Sequence, residues 1–187
     1  MPKDYAARAI TDIRRKDRAV SDEAWIKDFL HRAAFGHMAS LHQGQPFINS
    51  NLFVYDEAQH CIYLHTARVG RTAANIALQQ AVCFSVSTMG RILPAAHALD
   101  FSVEYQGVAV FGQAHIVLDD DEASQALQQL LDKYAPHLQP GRDYRAIQAD
   151  ELARTAVYRI DIHDWSGKRK QAAPDFPGAF SYPLLED

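Results

Sequence analysis

The residues best suited to chemistry lie together between Tyr63 and Asn75, where the chain reads YLHTARVGRTAAN. Aromatic and apolar residues alternate up to His65, a pattern that favours a β-strand. Gly70 can adopt a turn conformation that other residues resist. From Arg71 onwards, apolar residues recur at helical spacing. The sequence therefore predicts a strand, a glycine turn and a helix in succession.

Two arginines flank the start of that helix. The first amides of a helix have no internal partner, and this end carries a partial positive charge. Arg68 and Arg71 would add guanidinium groups beside those amides, and a phosphate fits such a site best. The alternative is that both arginines are solvated surface residues on an ordinary turn, as most arginines are.

Composition and charge narrow the class of protein. The chain has 187 residues, 48% of them hydrophobic and 22% charged, as expected for one globular domain with a substantial core. The net charge of −4 favours no nucleic-acid partner. We see no signal peptide and no membrane-spanning run, so we expect a cytoplasmic protein without a membrane partner. Cys61 and Cys83 lie in apolar runs and are expected to be buried thiols rather than a disulfide.

The pattern of elements predicts a mainly β fold with flanking helices. Six antiparallel strands are expected at 36–41, 47–55, 61–66, 82–87, 101–118 and 155–162, and helices near 21–35, 71–81, 119–134 and 150–154. Gly107 and Gly112 predict a bulge or a close approach within the longest strand. Short connections between antiparallel strands favour a barrel over a doubly wound sheet.

The remaining segments, which include the two termini, show no clear helical or strand pattern. Residues 88–100 are expected to form a loop that is a site wall, a subunit contact or simple packing. From 165 the chain is expected to run as a tail. The basic run at 14–18 could contact nucleic acid, but a solvated arm is the better interpretation because the run is short and broken by an acid. We divide the chain into an arm (1–20), a barrel domain (21–170) and a tail (171–187).

Motifs for several other functions are missing from the sequence. It has no Gly-x-Gly-x-x-Gly fingerprint, no Gly-rich phosphate loop ending in Gly-Lys, and no Gly-x-Ser-x-Gly elbow. No spacing of histidines or cysteines suits a metal, so we expect no metal site. Among nine histidines, His65 stands out because it lies where the strand meets the anion turn.

Four blocks of sequence resemble motifs of the FMN-binding split-barrel proteins related to pyridoxamine 5′-phosphate oxidase. They are YLHTARVGR at 63–71, PFINSN at 46–51, VEYQGVAVFGQA at 103–114 and WSGK at 165–168. The runs RRKDR at 14–18 and ILP at 92–94 are most similar to the branch of nitroimidazole-resistance proteins. The resemblance implies a six-stranded split barrel that forms a homodimer, with FMN at the subunit interface.

The resemblance also implies roles for individual residues. Arg71, Gly70 and Arg68 would hold the FMN phosphate, and His65 would be either the catalytic residue or only a flavin contact. Trp165 and Lys168 would close the pocket from the partner chain. The remaining expected contacts to the flavin are Ile48, Asn49, Ser50, Asn51, His65, Thr66, Ala67 and Gln106.

One position departs from the family pattern. Pyridoxamine phosphate oxidases proper carry a basic residue directly after the arginine that matches Arg71, and here that residue is Thr72. We therefore expect a weaker or differently built phosphate site. The residues that bind the substrate phosphate near the C-terminus of those enzymes are not recognisable here either, so we expect a substrate other than pyridoxamine phosphate.

Two classes of function follow from the resemblance. The first is an oxidoreductase that passes electrons from a reduced nicotinamide through FMN to a small organic acceptor, with nitroaromatic compounds as candidates. The alternative is a non-catalytic protein that holds flavin or haem on the same barrel. A dimer without any ligand would leave the paired arginines unexplained.

Overall fold

The computed structural model of the protein describes residues 4–182. Antiparallel strands dominate this range. They are β1 (Ala19–Val20), β2 (Gly36–His42), β3 (Gln45–Asn51), β4 (Val54–Asp56), β5 (Cys61–Ala67), β6 (Ala81–Leu93), β7 (Ser102–Ile116) and β8 (Thr155–Lys170). The helices are α1 (Glu23–Arg32), α2 (Arg71–Leu78), α3 (Asp120–Tyr134) and α4 (Ala149–Leu152), with short 3₁₀ turns at Lys16–Arg18 and Ala98–Asp100. None of the helices described here is both long and apolar enough to cross a membrane.

The strands form one sheet that curls into a split barrel. Their order is β3-β2-β6-β7-β8-β5-β4, and β1 pairs with β8. β3 and β4 stand at opposite ends of this order, yet only two residues of chain separate them. The two edges must therefore lie close together, so the sheet closes on itself except for a split between β3 and β4. The mainly β barrel predicted from the sequence is confirmed.

The number of strands is eight rather than the six that we expected. The stretch 47–55 is two strands, because the chain leaves the sheet at Leu52 and Phe53. The Phe53 side chain is fully buried, and its backbone N–H donates to the hydroxyl of Tyr134 instead of to a neighbouring strand. The second additional strand is β1, which pairs with the end of β8 through Ala19 and Val20.

Two strands run further than the sequence predicted. β6 continues to Leu93, so the expected loop at 88–100 is wrong for residues 88–93, and β8 continues to Lys170, so the expected tail at 165–170 is also strand. The cause is β7, a strand of 15 residues whose backbone pairs with β6 on one side and β8 on the other. Backbone groups along such a strand are satisfied only if both neighbours extend with it.

A glycine in β7 relieves a close backbone approach. The register between β7 and β8 shifts at Phe111 and Gly112. A Cβ atom at Gly112 would lie 2.0 Å from the backbone oxygen of Asp161, so no other residue fits there without movement. The bulge predicted at Gly112 is therefore confirmed. Gly107 has no bulge and pairs in regular register, but a Cβ atom there would come within 3.3 Å of the backbone oxygen of Val86.

The core has an inner and an outer part. Inside the barrel, the side chains of β5 residues Ile62 and Leu64 pack with those of α1, while Cys61 and Tyr63 point to the opposite face, under α3 and α4. This explains why β5 is buried on both faces for its first four residues. Cys61 is a buried free thiol, and Cys83 is a partly buried free thiol.

Candidate functional site

The predicted strand, turn and helix form a corner between β5 and α2. β5 ends at Ala67 and α2 begins at Arg71, with Gly70 as its N-terminal cap. Gly70 has φ of 147°, a conformation that residues with a side chain rarely adopt. No side chain caps the helix. The first amides of α2 are therefore available to an outside acceptor.

Arg71 lies beside a histidine that the sequence did not indicate. Its Nη1 atom is 3.2 Å from Nδ1 and 3.3 Å from Nε2 of His42, at the end of β2. A nitrogen nearly equidistant from both ring nitrogens cannot lie in the ring plane, because it would overlap the carbon between them. The Nη1 atom therefore lies over the face of the imidazole ring.

Arg68 has a different environment from Arg71. Its Nη2 atom donates to the backbone oxygen of Leu152, the last residue of α4, at 2.7 Å. Arg68 therefore helps to hold α4 against the barrel, which the sequence did not indicate. Arg71 makes no such bond to the backbone of residues 4–182 and is the arginine better placed for a ligand.

A polar network fixes the first turns of α2 against the sheet. Asn49 of β3 donates to the hydroxyl of Thr72 at 3.1 Å and lies 3.4 Å from Oδ1 of Asn51. Asn75, fully buried, donates to the hydroxyl of Ser40 on β2 at 3.0 Å. Two buried atoms of this network, Nδ2 of Asn51 and Oδ1 of Asn75, have no hydrogen-bond partner within the described part of the chain. Such atoms are normally satisfied by water or a ligand.

The four predicted contacts on β3 divide between its two faces. Asn49 and Asn51 face α2, so the alternation of a strand turns Ile48 and Ser50 the other way. Ile48 is 63% exposed, and Ser50 pairs its hydroxyl with Nδ1 of His37 at 2.9 Å. On the α2 side, Ile48 and Ser50 can contribute only backbone groups.

The end of β5 carries the next three predicted residues. His65 is exposed by surface area, but the protein around it still desolvates the ring and lowers its pKa below the usual value. The ring is therefore neutral at pH 7, and one nitrogen can donate while the other accepts. Thr66 donates to the backbone oxygen of Ala67 at 2.9 Å.

The other three predicted residues lie elsewhere in the same chain. Gln106 and Lys168 line a cavity of about 440 Å³ on the face of β6, β7 and β8, and no residue of the corner lines it. Trp165 packs on the ring of His60, with centroids 4.8 Å apart, at the start of β5, whereas the corner is at its end. One chain therefore holds two separate groups of predicted site residues, the corner and the cavity, and Trp165 belongs to neither.

A tyrosine in the same cavity has two cations beside it. Arg18 donates from Nη1 to the hydroxyl of Tyr105 at 3.4 Å, and Nζ of Lys168 lies 5.5 Å from the ring centroid. Partial burial acts to raise the pKa of Tyr105, but these two cations outweigh it, and the pKa lies below its usual value.

Sequence reasoning missed three residues of the corner: His42, Ser40 and Asn75. Asn75 did leave a signal, since it shares the buried face of α2 with Thr72 and Ile76. A polar residue on a buried helix face needs a partner. His42 left none, because its contact with Arg71 joins positions 29 residues apart.

A split barrel with an anion-binding corner is expected for the family that the sequence resembles, and comparison with known families agrees with that resemblance. Residues 22–169 match the model of the pyridoxamine 5′-phosphate oxidase family. The chain belongs to this family. No curated protein matches the chain significantly.

Solved structures share the fold. The flavocytochrome Anf3 from Azotobacter vinelandii superposes with a TM-score of 0.77 at 23% identity, over 95% of this chain and 86% of that one. A FAD and haem binding protein from Mycobacterium smegmatis gives 0.74 at 22% identity, over 84% and 76%. A Bacteroides thetaiotaomicron protein named for 5-nitroimidazole antibiotic resistance gives 0.68 at 16% identity, over 81% and 86%. At these identities the likeness shows the fold alone.

Proposed function

We propose that this chain binds FMN, with the phosphate held at the corner between β5 and α2, and acts as a flavin-dependent oxidoreductase. The observation that carries the proposal is Arg71 beside an uncapped helix N-terminus in a member of this family. A helix start with a neighbouring guanidinium group is well suited to a phosphate.

The donor set of the corner fits FMN. The phosphate needs positive charge and N–H donors, which Arg71 and the first amides of α2 provide. The ring needs hydrogen-bond partners for its carbonyl and nitrogen atoms. Asn51 has an amide nitrogen without a partner in the described chain, and Asn49 lies next to it. His65, Thr66 and Ala67, at the end of β5, would line the ribityl chain.

When bound, FMN would supply the transfer of electrons from a reduced nicotinamide to a small organic acceptor. The chain would bind and orient it. His65, neutral at pH 7, would donate one hydrogen bond towards the flavin or the substrate. Pyridoxamine phosphate, which would donate electrons to FMN, is a poor candidate for the substrate, because the residues that bind its phosphate near the C-terminus of pyridoxamine phosphate oxidases are not recognisable in this sequence. A nitroaromatic acceptor is a candidate because one relative is named for nitroimidazole resistance.

A homodimer would bring the two groups of site residues together. Gln106 and Lys168 line a cavity apart from the corner of their own chain. A twofold axis would place the cavity of one chain opposite the corner of the other, so each flavin would contact both chains. Trp165 is left out of this arrangement, because it packs on His60 of its own chain.

The test is a spectrum followed by a reduction. We expect the purified protein, reconstituted with FMN, to show the absorption bands of bound flavin, which NADH or NADPH bleaches without oxygen. A nitro compound added next should restore the bands while it is consumed. If the flavin binds but stays oxidised with both nicotinamides, the oxidoreductase proposal fails and the binding proposal stands.

A second candidate is a protein that holds haem, with or without flavin. Two relatives of the same fold are described as a flavocytochrome and as a FAD and haem binding protein. A neutral imidazole such as that of His65 is the form that ligates iron. Haem would add an intense Soret band to the same spectrum, and flavin bands alone would argue against it.

A further inference from the structure

We propose that His42 is a second ligand of the FMN phosphate. The inference rests on the proposed function and adds a residue to it. No sequence motif indicates His42, and its place follows from the contact with Arg71 alone.

The contact between Arg71 and His42 leaves hydrogen-bonding groups of both side chains free. Because Nη1 of Arg71 lies over the face of the His42 ring, the ring nitrogens still point outward in the ring plane. Arg71 keeps its Nε and Nη2 atoms for a ligand. An anion beside this contact can therefore accept from the guanidinium group, from the ring and from the first amides of α2.

Two other residues near Arg71 are less well placed than His42 to be the second ligand of the phosphate. Thr72, the next residue after Arg71, is uncharged and only 7% exposed. Arg68 already donates from one guanidinium nitrogen to the backbone oxygen of Leu152. His42, partly exposed, is the remaining side chain in contact with Arg71 that can carry a positive charge.

The surroundings of His42 leave its ring available to an anion. Among residues 4–182, no carboxylate pairs with His42, its hairpin partner Gln45 is neutral, and Arg71 is the charged group in contact with it. A ring nitrogen of His42 can therefore donate a hydrogen bond to a phosphate oxygen that Arg71 also binds.

Isothermal titration calorimetry tests the proposal. FMN is titrated into wild type, His42→Ala, His42→Lys and His37→Ala under one set of conditions. His42→Ala should bind roughly tenfold more weakly, because the phosphate loses one hydrogen-bond donor. His42→Lys should keep most of the affinity, because its ammonium group can donate to the same phosphate.

The control and the contrary outcomes are distinct. His37 lies on the same strand and contacts Ser50 instead of Arg71, so His37→Ala should match wild type. Equal FMN affinity in wild type and a folded His42→Ala would overturn the inference and leave the proposed function intact. Wild type that binds no FMN would overturn both proposals.

Discussion

Arg68 and Arg71 are three positions apart, yet they have different tasks in the fold. Arg68 donates to the carbonyl of Leu152 and so belongs to the contact between the β5 turn and α4. Arg71 rests on an imidazole ring, and its hydrogen-bonding capacity is largely unused by residues 4–182. Within the proposed site, the phosphate therefore depends on Arg71 far more than on Arg68.

The prediction at this scale compares two arginine variants. Arg71→Ala should weaken FMN binding by about 1.5–3 kcal/mol, the scale for hydrogen bonds to charged groups. Arg68→Ala should change FMN affinity less and lower the free energy of unfolding more, because it leaves the Leu152 carbonyl without its partner. Flavin fluorescence titration and urea denaturation measure the two effects. The reverse order of effects would mean that the phosphate site is misplaced.

The sequence predicted the corner itself better than its details. A strand, a glycine and an amphipathic helix are local patterns, and they were sufficient to place Arg71 at a helix start. The direction of the Arg68 side chain was beyond reach, because its partner Leu152 lies 84 positions away. The partner of Arg71, His42, comes from β2 and was missed for the same reason.

Among the elements, α3 binds the segment that joins the two edges of the barrel at its split. The hydroxyl of Tyr134, its last residue, accepts from Phe53 N–H at 3.1 Å and lies within 3.0 Å of the carbonyls of Ala34 and Phe53. Lys133 donates to the Phe53 carbonyl at 3.0 Å. Phe53 is the joint between β3 and β4, so these contacts keep the Asn49 and Asn51 strand in place beside α2.

The prediction for this element is a loss of stability. Tyr134→Phe removes a hydroxyl and leaves the Phe53 N–H without its partner, which should lower the free energy of unfolding by about 1–3 kcal/mol. Urea denaturation of both proteins measures it. Tyr182→Phe is the control, since Tyr182 is 60% exposed, and it should change stability by less than about 0.5 kcal/mol. If both variants unfold like wild type, Tyr134 does not hold the split.

The elements were predicted well where periodicity is local and less well where pairing decides. Helix α3 and strand β7 appear almost as the pattern indicates. Residues 88–93 and 165–170 looked irregular, but each is held in a strand by β7, a contact that no local pattern reveals. The break between β3 and β4 at Leu52 likewise depends on Tyr134 of α3, which is 81 positions from Phe53 in the sequence.

At the scale of the molecule, the site residues fall into two groups that one chain does not unite. Arg71 belongs to the corner, and Lys168 lines the cavity on the face of β6, β7 and β8. If each flavin touches two chains, neither group is sufficient alone. The sequence of one chain was sufficient to predict its fold. It was not sufficient to predict the complete site, because in the proposed dimer that site needs residues from both chains.

A mixing experiment tests the proposed dimer. Arg71→Ala and Lys168→Ala homodimers should each bind FMN weakly, because every site lacks one group. After exchange of chains, a heterodimer has one intact site and one site with both changes. Random pairing should restore roughly a quarter of all sites to wild-type affinity. A site formed within one chain would show no recovery, whereas mixing wild type with itself controls for losses during exchange.

The most direct measurement of the proposed phosphate site compares FMN with riboflavin, which has the same ring and no phosphate. Wild-type protein should bind FMN roughly 10- to 100-fold more tightly, since charged hydrogen bonds of the kind offered by Arg71 contribute about 1.5–3 kcal/mol. Fluorescence titration of both ligands under one set of conditions gives the ratio of dissociation constants. A ratio near one would contradict a phosphate held where β5 turns into α2.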